Sequence, residues 1–149
     1  MSKIIFITSD SDDFQLVRDI RASVFTAEQG ADRDTEFDSY DEKGKGTLYA
    51  LLYDEEKAVA TSRLALTEKG FKIGRIAVLK QYRGKGYGEK IVRAVVEKAF
   101  EKGTETVLVD AQNYAVPFYE KFGFKAIGSQ IIDRGLPHMP MSLDKNNYR

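Results

Sequence analysis

Six consecutive residues, Arg83-Gly84-Lys85-Gly86-Tyr87-Gly88, carry the chemistry that is most legible in this chain. They stand between a short run rich in β-branched residues, Ile73 to Val78, and a stretch in which Ile91, Val92, Val95, Val96 and Ala99 recur at helical spacing. A glycine turn that opens a helix is an anion site by construction. The first helical amides lack internal partners, and the helix dipole adds partial positive charge at that end. Glycines let a bulky anion approach the backbone closely. Between residues 80 and 93 the cations are Lys80, Arg83, Lys85, Lys90 and Arg93, against one acid, Glu89, so the expected occupant is a pyrophosphate. The plainer reading is a glycine-rich connection beside a solvated basic helix face.

The spacing discriminates among phosphate ligands. A P-loop would need Ser or Thr after its lysine to hold magnesium, and none is present. The dinucleotide pattern Gly-x-Gly-x-x-Gly fails by one residue, because Glu89 stands in the third glycine slot, although Asp110 ends the next strand where a ribose-binding acid would sit. What fits is Arg-x-x-Gly-x-Gly at Arg83, Gly86 and Gly88, after a strand ending Ile76-Ala77-Val78. This pattern resembles the acyl-CoA-binding motif of the GCN5-related N-acetyltransferases (GNAT).

A second stretch strengthens the resemblance: Asp110-Ala111-Gln112-Asn113-Tyr114-Ala115-Val116-Pro117-Phe118-Tyr119, running on to Phe122-Gly123-Phe124. By itself it reads as a strand end, a polar turn and a short helix stopped by glycine. Ligands of parallel sheets bind beyond the carboxyl ends of the strands, so this turn and the Gly84–Gly88 turn should flank one crevice. The stretch is similar to the Asn…Ala…Tyr…Gly-Phe signature of the same family. Arg21 to Phe25 with Glu28-Gln29, and Asp133 to His138, resemble its ElaA-like branch.

The resemblance implies acetyl-CoA as cosubstrate, with no metal, and direct transfer of its acetyl group to the amine of a small molecule or protein. It implies that the backbone of Ile76, Ala77 and Val78 pairs with the pantetheine arm. The amides of Gly84, Lys85, Gly86, Tyr87 and Gly88, with the Arg83 and Lys85 side chains, would take the pyrophosphate. Tyr119 would protonate the departing thiolate; otherwise it is a core aromatic beside Phe118 and Phe122. Gln112 stands where the family usually has asparagine, and Asn113 is the neighbour able to replace it. The attacking amine, with a pKa near 10.4 if lysine-like, must lose a proton. His138, the one histidine, and Glu28 compete for the role of base, and a water chain is the third option. A catalytically inactive CoA-binding or sensing module is the alternative function. A dinucleotide-binding domain is a weaker one.

The elements that position these residues follow from periodicity and turn chemistry. Lys3 to Thr8 reads as a strand and Phe14 to Phe25 as a helix, with Arg21 on its apolar face as a snorkelling edge residue or a functional cation. Residues 28–42 hold seven acids and one base, Arg33. A calcium loop is excluded, because Phe37 replaces the required glycine and Lys43 the final acid. The acidic segment is then either a solvated loop or a lip that attracts a cationic amine. Thr47 to Tyr53 and Ala58 to Leu66 read as hairpin strands leading into Ile73–Val78. Thr106 to Ala111 is a buried strand, Ala115 to Phe122 a helix, and Lys125 to Ile132 and Met139 to Leu143 the closing strands, with Asn146 to Arg149 frayed. The fold class expected is α/β, a GNAT-type mixed sheet. Its N-terminal half is antiparallel, its central parallel pair diverges to form the CoA crevice, and helices cover both faces.

At 149 residues, with no internal repeat or linker, the chain is expected to form one domain, residues 1–149. Its 23 basic and 23 acidic residues cancel, which argues against nucleic acid as a partner. Absence of cysteine excludes disulfides and thiolate chemistry. The apolar run near the N-terminus is too short for a signal peptide or membrane span, so a cytoplasmic protein without membrane contact is expected, as monomer or homodimer.

Overall fold

The structure, a computed structural model, describes residues 1–31 and 36–149, so Asp32, Arg33 and Asp34 of the acidic segment lie outside the described residues. Eight strands form one sheet in the order β1-β2-β3-β4-β5-β8-β6, with β7 also paired to β8. The strands are β1 (Ser2–Ile7), β2 (Leu48–Asp54), β3 (Lys57–Thr67), β4 (Gly70–Val78), β5 (Thr106–Gln112), β6 (Lys125–Ala126), β7 (Ile131–Asp133) and β8 (Leu136–Asp144). β1 to β4 pair antiparallel in chain order, and β4 and β5 are parallel, as expected. The single strand expected from Lys125 to Ile132 is instead two short ones, which pair with opposite halves of β8.

The sheet separates two apolar layers, and β2 illustrates how. Tyr49 and Leu51 pack with α1 (Phe14–Arg21), while Ala50 and Leu52 pack with α2 (Tyr87–Glu101), the period of two expected of a strand covered on both faces. The five residues of α2 that share helical spacing, Ile91 to Ala99, are all fully buried. Each large one contributes about 1.5–3 kcal/mol relative to exposure. α1 ends at Arg21 and passes into a π-helical segment, Ala22–Glu28, rather than continuing as α-helix to Phe25. A short helix, α3 (Val116–Glu120), supports Tyr119.

β4 carries the irregularity that opens the sheet. It pairs with β5 only at Lys72↔Leu108 and Ile73↔Val109, and beyond these the strands part. On its other edge, Ala77 faces Thr61 and Gly74 faces Arg63, so β4 has one residue more than β3 across this interval. The extra residue makes a bulge in which Arg75 takes φ +50°. The bulge also reverses side-chain parity: Ile73 belongs to the α2 layer, but Ala77 belongs to the α1 layer.

Three expectations are corrected. Arg21 neither snorkels nor faces a ligand; it is fully buried and bonds both oxygens of Asp41 at 2.9 and 3.0 Å and Glu36 Oε2 at 2.7 Å. Glu36 and Asp41 are therefore neither solvated nor a lip, because arginines from four elements neutralise them inside the protein. The C-terminus is docked, not frayed: Arg149 N donates to Phe122 O at 3.0 Å, and Tyr148 Oη donates to Glu97 at 2.7 Å. Gly123 permits this, since a Cβ there would lie 2.1 Å from the Asn147 carbonyl oxygen.

Candidate active site

The parting of β4 and β5 leaves a cleft of about 980 Å³ that follows β4 from Lys72 to Val78. It is lined by Ile76, Ala77 and Val78, then Arg83, Gly84, Gly86, Tyr87 and Gly88. Glu28, Gln112, Tyr119 and His138 line the same cleft. Lys85 and Asn113 do not: Lys85 leans toward Asp54 (3.8 Å), and Asn113 Nδ2 donates to Gln130 Oε1 at 2.6 Å.

At the glycine end, Gly86 caps α2 with φ +81° and ψ +10°, and Gly84 has φ +80°, conformations that glycine adopts without steric cost. No side chain caps α2, and its first internal bond runs from Lys90 N to Gly86 O at 3.1 Å, so the amides of Tyr87, Gly88 and Glu89 precede the helical ladder. A Cβ on Gly88 would meet only ordinary contacts, 3.8 Å from Phe118 and 3.9 Å from Val78, so internal packing does not demand glycine there. These donors suit a diphosphate.

Along the wall, Leu79 N donates to Val59 O on β3 at 2.9 Å. Since backbone groups alternate along a strand, the Val78 amide and carbonyl point the other way, to the edge that β5 has left. The Val78 carbonyl accepts from Arg83 Nε at 3.0 Å. The guanidinium of Arg83 also makes a two-point pair with Glu28, at 2.5 and 2.8 Å. That contact holds the Glu28 carboxyl below its usual range, so in this arrangement Glu28 is a paired carboxylate and not a ready proton acceptor.

Tyr119 is 7% exposed, edge-on to Phe118 and Phe124, so the core-aromatic reading and the cleft position both describe it. Its hydroxyl has no hydrogen-bond partner among the described residues. Burial drives its pKa well above the ordinary phenol value, so it stays protonated. His138 is 9% exposed, opposite Gln112 in the β5–β8 register, and its Nδ1 lies 2.9 Å from Leu136 O. A carbonyl only accepts, so Nδ1 is the donor in this contact, and in the neutral ring the lone pair then belongs to Nε2. Gln112 itself donates to Gln29 Oε1 at 3.0 Å.

Residues to which the sequence assigned no part in acetyl transfer also line the cleft. Arg63, Arg75 and Arg134 enter from β3, β4 and the β7–β8 turn. The Lys72–Asp110 ion pair sits where β4 and β5 separate. The available signal was an arginine inside each of two largely apolar strand runs, Ala58 to Leu66 and Ile73 to Val78.

Comparison with known proteins accords with this architecture. The model of the acetyltransferase (GNAT) domain matches residues 22–145. The Bacillus subtilis (strain 168) protein named uncharacterized N-acetyltransferase YjcF is 32% identical over 126 residues, covering 84% of this chain and 88% of its own. Escherichia coli ElaA superposes with a TM-score of 0.85 at 22% identity, covering 97% of this chain and 100% of its own. An acyl-CoA N-acyltransferase from Pseudomonas aeruginosa gives 0.86 at 21% identity, covering 96% and 99%. With its split sheet, glycine-capped α2 and matching family model, this chain belongs to the GNAT acetyltransferase family.

Proposed function

We propose that the protein transfers an acetyl group from acetyl-CoA to an amine by direct attack. The observation that carries this reading is that Tyr119 lines the same cleft as the start of α2, which no side chain caps, between strands that part. The cosubstrate supplies an already activated thioester, so the chain needs no nucleophile of its own.

The amides at the start of α2 and the Arg83 guanidinium bind the diphosphate, for which Arg83 must leave Glu28. The backbone edge of Ile76 to Val78 orients the pantetheine arm as an added strand. The Val78 amide stabilises negative charge developing on the carbonyl oxygen. His138 Nε2 accepts a proton from the attacking amine, directly or through water. Glu28 becomes the rival once Arg83 lets it go. Tyr119 donates its phenolic proton to the departing sulfur.

The test is titration calorimetry with acetyl-CoA, then thiol release over a panel of amines. Saturable binding with amine-dependent thiol release is expected. No binding overturns the reading, and binding without turnover of any amine reduces it to a CoA-binding module.

A further inference from the structure

Arg75 and Arg134 belong to a cluster in which the described charges do not balance. Arg21, Arg63, Arg75 and Arg134 face three described carboxylates, Glu36, Asp38 and Asp41. Asp41 is taken by Arg21, and Asp38 by Arg63 at 2.8 and 3.0 Å. Glu36 serves three guanidiniums at once: Arg21 at 2.7 Å, Arg134 at 2.8 Å and Arg75 at 3.5 Å. The Arg134 contact falls short of hydrogen-bond geometry, and Arg134 Nε is sealed from solvent without a partner among the described residues. Arg75 reaches the nearest described carboxylate oxygens, on Glu36 and Asp38, only at 3.5 Å. Burial, with the positive charges of Arg63 and Arg134, pushes its pKa down to about 10.

Both residues take a left-handed backbone, φ +50° at Arg75 and +52° at Arg134, which a bulky side chain adopts where its surroundings impose it. Both line the cleft. Among the other cations there, Arg63 is paired with Asp38, Lys72 with Asp110 and Arg83 with Glu28, whereas Lys69 is an exposed side chain. Arg134 and His138 share the β7–β8 hairpin, where Ile131 lies opposite His138, so one element carries both the Arg134 guanidinium and the candidate base.

We infer that Arg75 and Arg134 receive a carboxylate of the acceptor, which makes the acceptor an amine that also bears a carboxylate, an amino acid or close analogue. The inference rests on the acetyl-transfer reading for its amine. A planar guanidinium matches a carboxylate at two points, and two of them in a buried wall select it over a neutral amide. Asp133, the neighbour of Arg134, lines the same cleft and supplies opposite charge for the amino end.

The experiment is calorimetry on CoA-saturated protein with amino acids, each paired with its carboxamide. At least one acid is expected to bind about tenfold more tightly than its amide. That preference should vanish in Arg134→Asn and Arg75→Asn, since asparagine tolerates the left-handed backbone. Affinity for acetyl-CoA in the same variants reports that the fold is intact. If no acid binds better than its carboxamide, or if none binds, the inference is overturned. It is equally overturned if the preference survives both substitutions. Loss of acetyl-CoA binding by the unmodified protein would instead remove the acetyl-transfer reading.

Discussion

Glu28 and Arg83, 55 residues apart, hold each other at 2.5 and 2.8 Å, joining the end of the π-helical segment to the turn after β4. One member is a candidate base and the other a candidate phosphate ligand, so each is occupied by its partner. Binding a diphosphate at Arg83 would release the Glu28 carboxylate.

Glu28→Gln should therefore strengthen acetyl-CoA binding, by roughly two- to fivefold, the range of a partly exposed ion pair. Calorimetry at low and moderate salt checks it. Weaker binding would mean that Glu28 orders Arg83 for the ligand. Turnover separates the two candidate bases: His138→Gln should lower kcat about a hundredfold, and Glu28→Gln much less.

Tyr119→Phe removes a hydroxyl that bonds no described residue and leaves the ring in place. Stability should change by less than about 1 kcal/mol while kcat falls about a hundredfold. Because burial raises the phenol pKa, its ionisation should not produce an alkaline loss of activity below pH 10. A pH–rate profile of enzyme and variant measures both effects.

Arg21→Met should destabilise the protein by about 3–5 kcal/mol in urea unfolding, because it removes the guanidinium that bonds both Asp41 and Glu36 in the interior. The wild type should lose stability in acid for a related reason. Arg21 and Arg63, with the Tyr49 hydroxyl, hold Asp41 well below the carboxylate range despite burial. A carboxyl depressed on folding contributes fully above its unfolded pKa of about 3.9. That contribution is lost as pH falls from there toward the folded value. Arg21→Met should show a shallower acid limb.

Gly123→Ala should free the C-terminal segment, since a methyl group cannot sit 2.1 Å from the Asn147 carbonyl oxygen. Limited proteolysis should cut the variant after Leu143 faster than the parent, and amide exchange at Arg149 should rise.

Local pattern carried the site's scaffold into the sequence and left its wiring out. The glycine turn, α2 and the parallel crossover were legible because each depends on residues within one turn or one period of each other. The arginine cluster was not, since Arg21, Glu36 and Arg75 meet across separations of 15 and 39 residues that no periodicity marks. Arg21 on an apolar face was the one local clue. The bulge at Arg75 was hidden for another reason: glycine or asparagine usually announces a left-handed residue, and arginine does not. The C-terminus looked loose because polar Asn146-Asn147 carries no hydrophobic signal, although its backbone is what docks against Gly123.

Arg75 does two jobs with separable parts. Its main chain supplies the extra step in β4 where the sheet opens, while its side chain adds a cation to the cavity so formed. A glycine at this position would keep the kink and drop the cation. Exchanging one side chain would thus change the charge of the crevice while leaving the parting of β4 and β5 in place.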